Sequence, residues 1–276
     1  MHPSRIVFLN IAFVAFALGC SSEKAPSGSN AKTLRVAITT STRDSGLTDK
    51  LIPIFEDEND VQVKLVAVGT GKALRLGKSA EVDAVLVHSK EEELKFLEAG
   101  HAIRREPVMF NYFEILGPRS DPAQISNLDS IEALRRIHET EAIFISRGDD
   151  SGTHQREMQL WKLAKLETGW KNYQETGQGM GPSLMIASQK KGYILCDRGT
   201  YLSMKNKVEL ESFTNKSEVM KNTYGVLCIN PEKNKLVNAG LADSFAEFLI
   251  RPATQKLIKE YEMDGEPLFE PIHPVN

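Results

Sequence analysis

From residue 33 onward, short apolar runs alternate with stretches whose apolar residues recur every three or four positions. Leu34, Val36 and Ile38 alternate with Arg35 and Ala37, the pattern of a half-buried strand. Leu47, Leu51, Ile54 and Phe55 then recur at helical spacing and form one apolar stripe. VQVKLVAV (61–68) is strand-like, and VDAVLVH (82–88) is a continuous apolar run suited to a buried parallel strand. Helical character returns over 91–99 and stops at Gly100. Further strands are expected at 113–117, 142–146, 193–197 and 224–230, with helices at 129–139, 153–167 and 182–190. A C-terminal helical pattern runs from Leu241 to Tyr261 and should break at Pro252, which lacks an amide donor and clashes one turn back. This alternation predicts an α/β protein with a parallel sheet flanked by helices. In open α/β sheets ligands bind where the carboxyl ends of strands lead into helices. The strand-to-helix junctions are therefore the places to look for chemistry.

The first 32 residues follow a different pattern. A single firm positive charge, Arg5, precedes an apolar run from Ile6 to Leu18 broken only by Asn10. The run is shorter than the ~20 residues a spanning helix needs, and it fits a secretory signal peptide over 1–19. Ala17-Leu18-Gly19-Cys20 resembles a bacterial lipobox, which predicts lipidation at Cys20 and a lipid anchor at a membrane surface. Residues 20–32 are then a tether, because SSEKAPSGSNAK is too small and polar to bury a core. The expected location is outside the cytoplasm: periplasmic or at the cell surface, membrane-anchored.

Composition narrows the partners. Hydrophobic residues make up 41% and charged residues 26% of the chain, ordinary values for a soluble body large enough for one α/β domain or two lobes. The net charge of −3 comes without a basic stripe, so nucleic acid is not an expected partner. An anionic ligand would have to be held by local groups rather than by a global field. The histidines are scattered and there is no Cys/His cluster, so no metal cation and no cofactor are expected. Cys196 and Cys228 both sit in apolar runs; a disulfide and two buried thiols are equally open.

Three junctions have unusual compositions. After the first strand come Thr39, Thr40, Ser41 and Thr42, four hydroxyls where a helix cap needs one. After 61–68 comes Gly69-Thr70-Gly71-Lys72, whose glycines let backbone amides approach a ligand; it lacks the spacing of a Walker loop. After 142–146 comes Arg147-Gly148-Asp149-Asp150-Ser151-Gly152-Thr153, a guanidinium, hydroxyls and free amides at one helix start. Asp149 or Asp150 is the expected cap there. Taken together, the junctions offer donors and one fixed cation. Such a shell suits a fully deprotonated tetrahedral oxyanion, which accepts hydrogen bonds and donates none. Each charge-assisted bond contributes ~1.5–3 kcal/mol net.

TTSTRDSGL (39–47), VGTGKALRLG (68–77), DAVLVH (83–88), VMFNYFEILGPRSDPA (108–123), FISRGDDSGTH (144–154), CDRGTYL (196–202) and YGVLCINP (224–231) occur in order along the chain. In these blocks, spanning about Thr33 to the C-terminus, the sequence resembles the tungstate-binding components of bacterial ABC importers, the TupA type. The resemblance implies a two-lobed type II periplasmic-binding-protein fold with the anion in a cleft between lobes. It implies ligand contacts from Thr39, Thr40, Ser41, Thr70, Arg147, Ser151 and Thr153, and a lobe division of 33–113 plus 225–276 against 114–224. It also implies a monomer that docks on a membrane permease and hands over tungstate, or molybdate. The choice between those two anions rests on the resemblance alone. Ser79-Ala80-Glu81-Val82 and Tyr112 depart from the family pattern outside the expected ligand shell.

An enzyme is the rival from another class. Ser151 precedes His154 by three residues, but no G-x-S-x-G elbow surrounds it. Asp149 and Asp150 are adjacent and point apart, a poor acid/base pair. Catalysis is not expected. His88 ends a strand at the carboxyl edge, where structural, supporting and catalytic roles are all open. Sulfate or phosphate are rival ligands of the same class; monoprotonated phosphate would want an acceptor.

Overall fold

A computed structural model describes residues 32–213 and 216–275. The expected signal peptide, Cys20 and the tether lie outside the described residues, except that Lys32 already opens the first strand. No helix among the described residues is long and apolar enough to cross a membrane.

The chain runs β1 (Lys32–Thr39), α1 (Thr40–Asp44), α2 (Leu47–Asn59), β2 (Val61–Val68), α3 (Thr70–Lys78), β3 (Ala84–Val87), α4 (Lys90–Glu98) and β4 (Ala102–Gly117). It continues through α5 (Ser130–Glu139), β5 (Phe144–Ser146), α6 (Gly152–Ala164), β6 (Tyr173–Glu175), α7 (Met180–Lys190), β7 (Tyr193–Asp197), α8 (Arg198–Met204) and β8 (Glu211–Ser212). It then forms β9 (Lys221–Ile229), α9 (Ala239–Ile250) and α10 (Pro252–Lys259). The break at Pro252 falls where the proline pattern puts it, with Pro252 opening α10 at a position that needs no amide donor.

The ladder order is β2-β1-β3-β9-β4-β7-β5-β6. The sheet is mixed, not parallel throughout as the alternation suggests. β1 pairs in parallel with β2 and β3, and β5 with β6 and β7. β9 and β4 run antiparallel to each other and to the strands beside them. β4 also starts eleven residues before the expected strand at 113–117. Its first part carries Arg104, Arg105 and Pro107, which break the alternation, and the ladder shifts register between Pro107 and Met109. A proline cannot donate to the ladder, so a bulge is where a strand tolerates one.

Each parallel group is covered on both faces. Over one face of β1, β3 and β9, α2 and α9 bring Phe55 against Phe245 and Phe248, with ring centroids 5.1 and 5.3 Å apart. Over the other face, Ala73, Leu74 and Phe96 from α3 and α4 pack on Val85 and Leu227. The β5–β7 group is covered by Leu134, Ile137, Leu160 and Trp161 on one side and by Met180, Leu184 and Ala187 on the other. Fully burying a side chain of the size of Phe55 or Leu184 contributes ~1.5–3 kcal/mol. These four clusters anchor the helices from behind, so the helix starts are held rigidly at the carboxyl ends of the strands. Cys196 and Cys228 are separate, buried free thiols, which resolves what spacing left open.

Candidate functional site

All the expected contact residues, Thr39, Thr40, Ser41, Thr70, Arg147, Ser151 and Thr153, line a single cavity of about 340 Å³. Among the described residues, five helices begin on its wall: α1, α3, α6, α7 and α8, whose capping residues Thr39, Gly69, Ser151, Gly179 and Asp197 all face it. The first turn of a helix has amides without intrahelical partners and carries partial positive charge. Converging helix starts therefore make an anion-attracting hollow without any net charge.

At the first junction Thr39 caps α1: its Oγ1 accepts from the Thr42 amide at 3.2 Å and lies 2.6 Å from the Thr42 hydroxyl and 3.1 Å from Ser41 Oγ. A capping hydroxyl accepts with its oxygen, so its own proton can still point at a ligand. Thr40 is exposed and Ser41 half-buried. At the second junction Gly69 offers no side-chain cap, leaving the first amides of α3 unclaimed by its own side chain, and Thr70 is buried beside them. A Cβ added at Gly152 would come 3.3 Å from Thr70 Oγ1 and 3.7 Å from His88 Cε1. The glycine is what lets the starts of α3 and α6 approach this closely.

At the third junction the cap of α6 is Ser151, whose Oγ accepts from the His154 amide, and neither Asp149 nor Asp150 serves there. Asp149 instead accepts from the Ser151 amide at 3.2 Å and pairs with Arg147. Burial opposes ionisation of Asp149, yet the bond from Ser151 and the Arg147 guanidinium hold its carboxyl below the ordinary range. Arg147 Nε is tied to the Gln178 carbonyl at 3.4 Å, so the guanidinium is fixed from two sides. The sharp loop needs left-handed backbone at Gly148 and Asp150, with φ of 59° and 54°. A Cβ at Gly148 would also lie 2.7 Å from Glu175 Cβ, so only glycine fits there. Ser151 meets the backbone of His154 and not its ring, whose Nδ1 accepts from the Asp150 amide at 3.1 Å. Ser151 and His154 therefore do not form a Ser–His pair of the catalytic kind.

Residues that sequence reasoning missed complete the wall. Asp197 caps α8, taking the Thr200 amide on Oδ1 at 2.9 Å and the Thr200 hydroxyl on Oδ2 at 2.7 Å. Asp44 also lines the cavity, so the shell is not donors alone as the three junctions imply. Gly179-Met180-Gly181-Pro182 adds the start of α7, again without a side-chain cap. The signals were Asp-x-x-Thr at the end of β7 and, a few residues after β6, the glycine-rich run Gly177-Gln178-Gly179 ahead of a helix. His88 stands on the wall with Ser41 Oγ 3.1 Å from its Nε2 and Asn222 Oδ1 2.9 Å from its Nδ1.

A sequence profile of the PBP superfamily domain matches residues 23–253. The chain is 42% identical to the tungstate-binding protein TupA of Peptoclostridium acidaminophilum, over 95% of each chain. A solved structure of the tungstate ABC transporter from Geobacter sulfurreducens is 42% identical with a TM-score of 0.78, matching 84% of this chain and 100% of that one. The tungstate binding protein TupA from Desulfovibrio alaskensis G20 is 38% identical with a TM-score of 0.79, matching 88% of this chain and 100% of that one.

Proposed function

The chain belongs to the PBP superfamily and, within it, to the tungstate-binding TupA proteins, and from that premise we propose that it captures a tetrahedral oxyanion, tungstate first, outside the cytoplasm and passes it to the permease of an ABC importer. It is a binding protein of two-lobed fold. The observation that carries the proposal is the convergence of hydroxyls, helix starts and the Arg147 guanidinium on a shared cavity.

We assign the contacts to Thr39, Thr40, Ser41, Thr70, Arg147, Ser151 and Thr153. Thr39 and Ser151 accept amide protons as caps and give their own protons to the anion. Thr70 and the amides of α3 and α6 meet it from two sides, and Arg147 balances its charge. Several charge-assisted bonds of ~1.5–3 kcal/mol each offset the cost of desolvating a dianion. Asp197 and Asp44 limit how much negative charge the site accepts at other points, and this favours a ligand seated toward Arg147.

The lobes we propose are 33–113 with 225–276, and 114–224. The crossings fall within a few residues of these bounds: β4 pairs with β9 up to Tyr112 and already with β7 at Phe113, and β9 from Lys221 onward already pairs with the first lobe's part of β4. Met220 packs in the core with Trp161, whereas Tyr224 packs in the core with Phe55. Closure of such lobes over a ligand gives the permease a loaded shape to recognise. A monomer held at the membrane by a lipid on Cys20 completes the reading.

Calorimetric titration of the purified mature protein with tungstate, molybdate, sulfate and phosphate tests it. Tungstate should bind most tightly, with molybdate the nearest competitor. Sulfate or phosphate binding more tightly than tungstate would overturn the ligand, and Asp197 is the acceptor a protonated phosphate would then be using.

A further inference from the structure

His88 follows β3 on the wall of the cavity and joins a buried polar chain that the contacts above do not explain. Asn222 Nδ2 donates to Asn111 Oδ1 at 2.8 Å. That leaves Asn222 Oδ1 facing His88 Nδ1 at 2.9 Å. A carboxamide oxygen only accepts, so Nδ1 carries a proton whatever the charge of the ring. The state of Nε2 then decides what Ser41 can do. With a neutral ring, Nε2 is a bare lone pair and takes the one hydroxyl proton of Ser41, 3.1 Å away. Ser41 then turns only oxygen lone pairs toward a dianion. With a charged ring, Nε2–H donates to Ser41 Oγ, and the Ser41 proton is released toward the cavity.

We propose, on the footing of the oxyanion reading, that His88 takes up a proton when the dianion binds and thereby converts Ser41 from a donor to the ring into a donor to the ligand. The surroundings are poised for this. Burial holds the imidazole below its ordinary pKa, Asp197 pulls it up, the bond to Asn222 pulls it up, and Arg147 pulls it down. The rings of Tyr224 and Phe113 beside it, with centroids 4.8 and 6.5 Å away, bring no charge. On the α3 and α6 sides the neighbours are Thr70 and Gly152. A dianion in the same cavity adds two negative charges, and opposite charge nearby favours the protonated ring. His88 and Gly152 also line a second cavity of about 400 Å³, whose charged groups are Lys90, Glu91, Arg156, Glu218 and Lys221. The ring therefore borders two cavities.

Calorimetric titration with tungstate at pH 7.5, in zwitterionic and amine buffers of different ionisation enthalpy, counts the protons exchanged. Tungstate itself carries none at this pH. The inference predicts net uptake approaching one proton per anion, and affinity falling by up to tenfold per pH unit on the alkaline side. His88→Gln should bind more weakly and take up no proton. In the wild-type protein, ¹⁵N NMR of the histidine rings should show Nε2 of His88 passing from unprotonated to protonated on addition of tungstate. Tight binding with no proton uptake between pH 6 and 8.5 would overturn the inference and leave the proposed function standing. Uptake unchanged in His88→Gln would overturn it too. Absence of binding to any oxyanion would instead overturn the function.

Discussion

The two sides of the cavity are built from the same parts and use them differently. The β1–α1 and β2–α3 junctions bring hydroxyl donors, Thr39, Thr40, Ser41 and Thr70, beside an exposed Arg43–Asp44 pair whose charges cancel. The junctions after β5 and β7 bring the charges: Arg147 with its partner Asp149, and Asp197. Both sides rest on helix starts packed from behind by apolar clusters. The difference teaches how a nearly neutral protein can hold a dianion. One side sets shape and hydrogen-bond count, and the other sets charge balance, so substitutions on the two sides should fail in different ways.

The largest effect is expected from Arg147→Ala. It removes the guanidinium from the cavity and leaves the Asp149 carboxylate without its partner, and an uncompensated, partly buried charge is costly. Tungstate affinity should fall more than tenfold, roughly 10–100-fold per charge-assisted bond lost, in a protein whose circular dichroism is unchanged. Arg147→Ala with Asp149→Ala should recover part of that loss; a double variant no better than the single one would show that the ion pair is not what sets the charge balance.

On the neutral side the effects should be smaller and separable. Thr39→Ala removes both a ligand donor and the α1 cap, so affinity should drop about tenfold and the Tm by ~2–4 °C. Thr40→Ala, at an exposed position that caps nothing, should lower affinity by a few-fold and leave the Tm alone. Equal losses of Tm in the two variants, read by thermal melts, would break the division of labour at this junction.

The smallest effect concerns Glu157, one turn into α6 and buried against the Trp161 indole at 3.1 Å and the Tyr173 hydroxyl at 2.8 Å. Burial raises its carboxyl to about 7, opposed by those bonds. Burial does the same to Glu93, also raised to about 7 despite Arg105. A carboxyl with a raised native pKa stabilises the fold fully below its unfolded value and loses that contribution as pH climbs through the native one. The Tm should therefore decline between pH 5 and 8, and Glu157→Gln should flatten the decline without abolishing it. An unchanged slope would remove Glu157 as a source.

Much of this was legible in the sequence, because periodicity and punctuation are local. Strands at 61–68 and 193–197 and the helix stop at Pro252 appear where the pattern puts them. The mixed sheet was not legible: β4 is a long strand whose first half is disguised by two arginines and a proline, and strand direction leaves no trace in hydropathy. The contact residues expected from three junctions do share one cavity. The cap of α6 was misassigned because aspartate and serine compete for that role within three positions, and the sharp Gly148 turn decides between them. Asp197 escaped because it looks like the plain end of a strand, and the role of His88 stayed open for the same reason: only the packing of distant elements shows what each faces.

The most direct measurement is a crystal structure with tungstate, using the anomalous scattering of tungsten to locate the anion. The account predicts one strong peak in the cavity, with its oxygens within hydrogen-bonding reach of Thr39, Thr70, Ser151 and Arg147. A peak elsewhere on the protein, or one in the cavity that touches only one of the two sides, would contradict it.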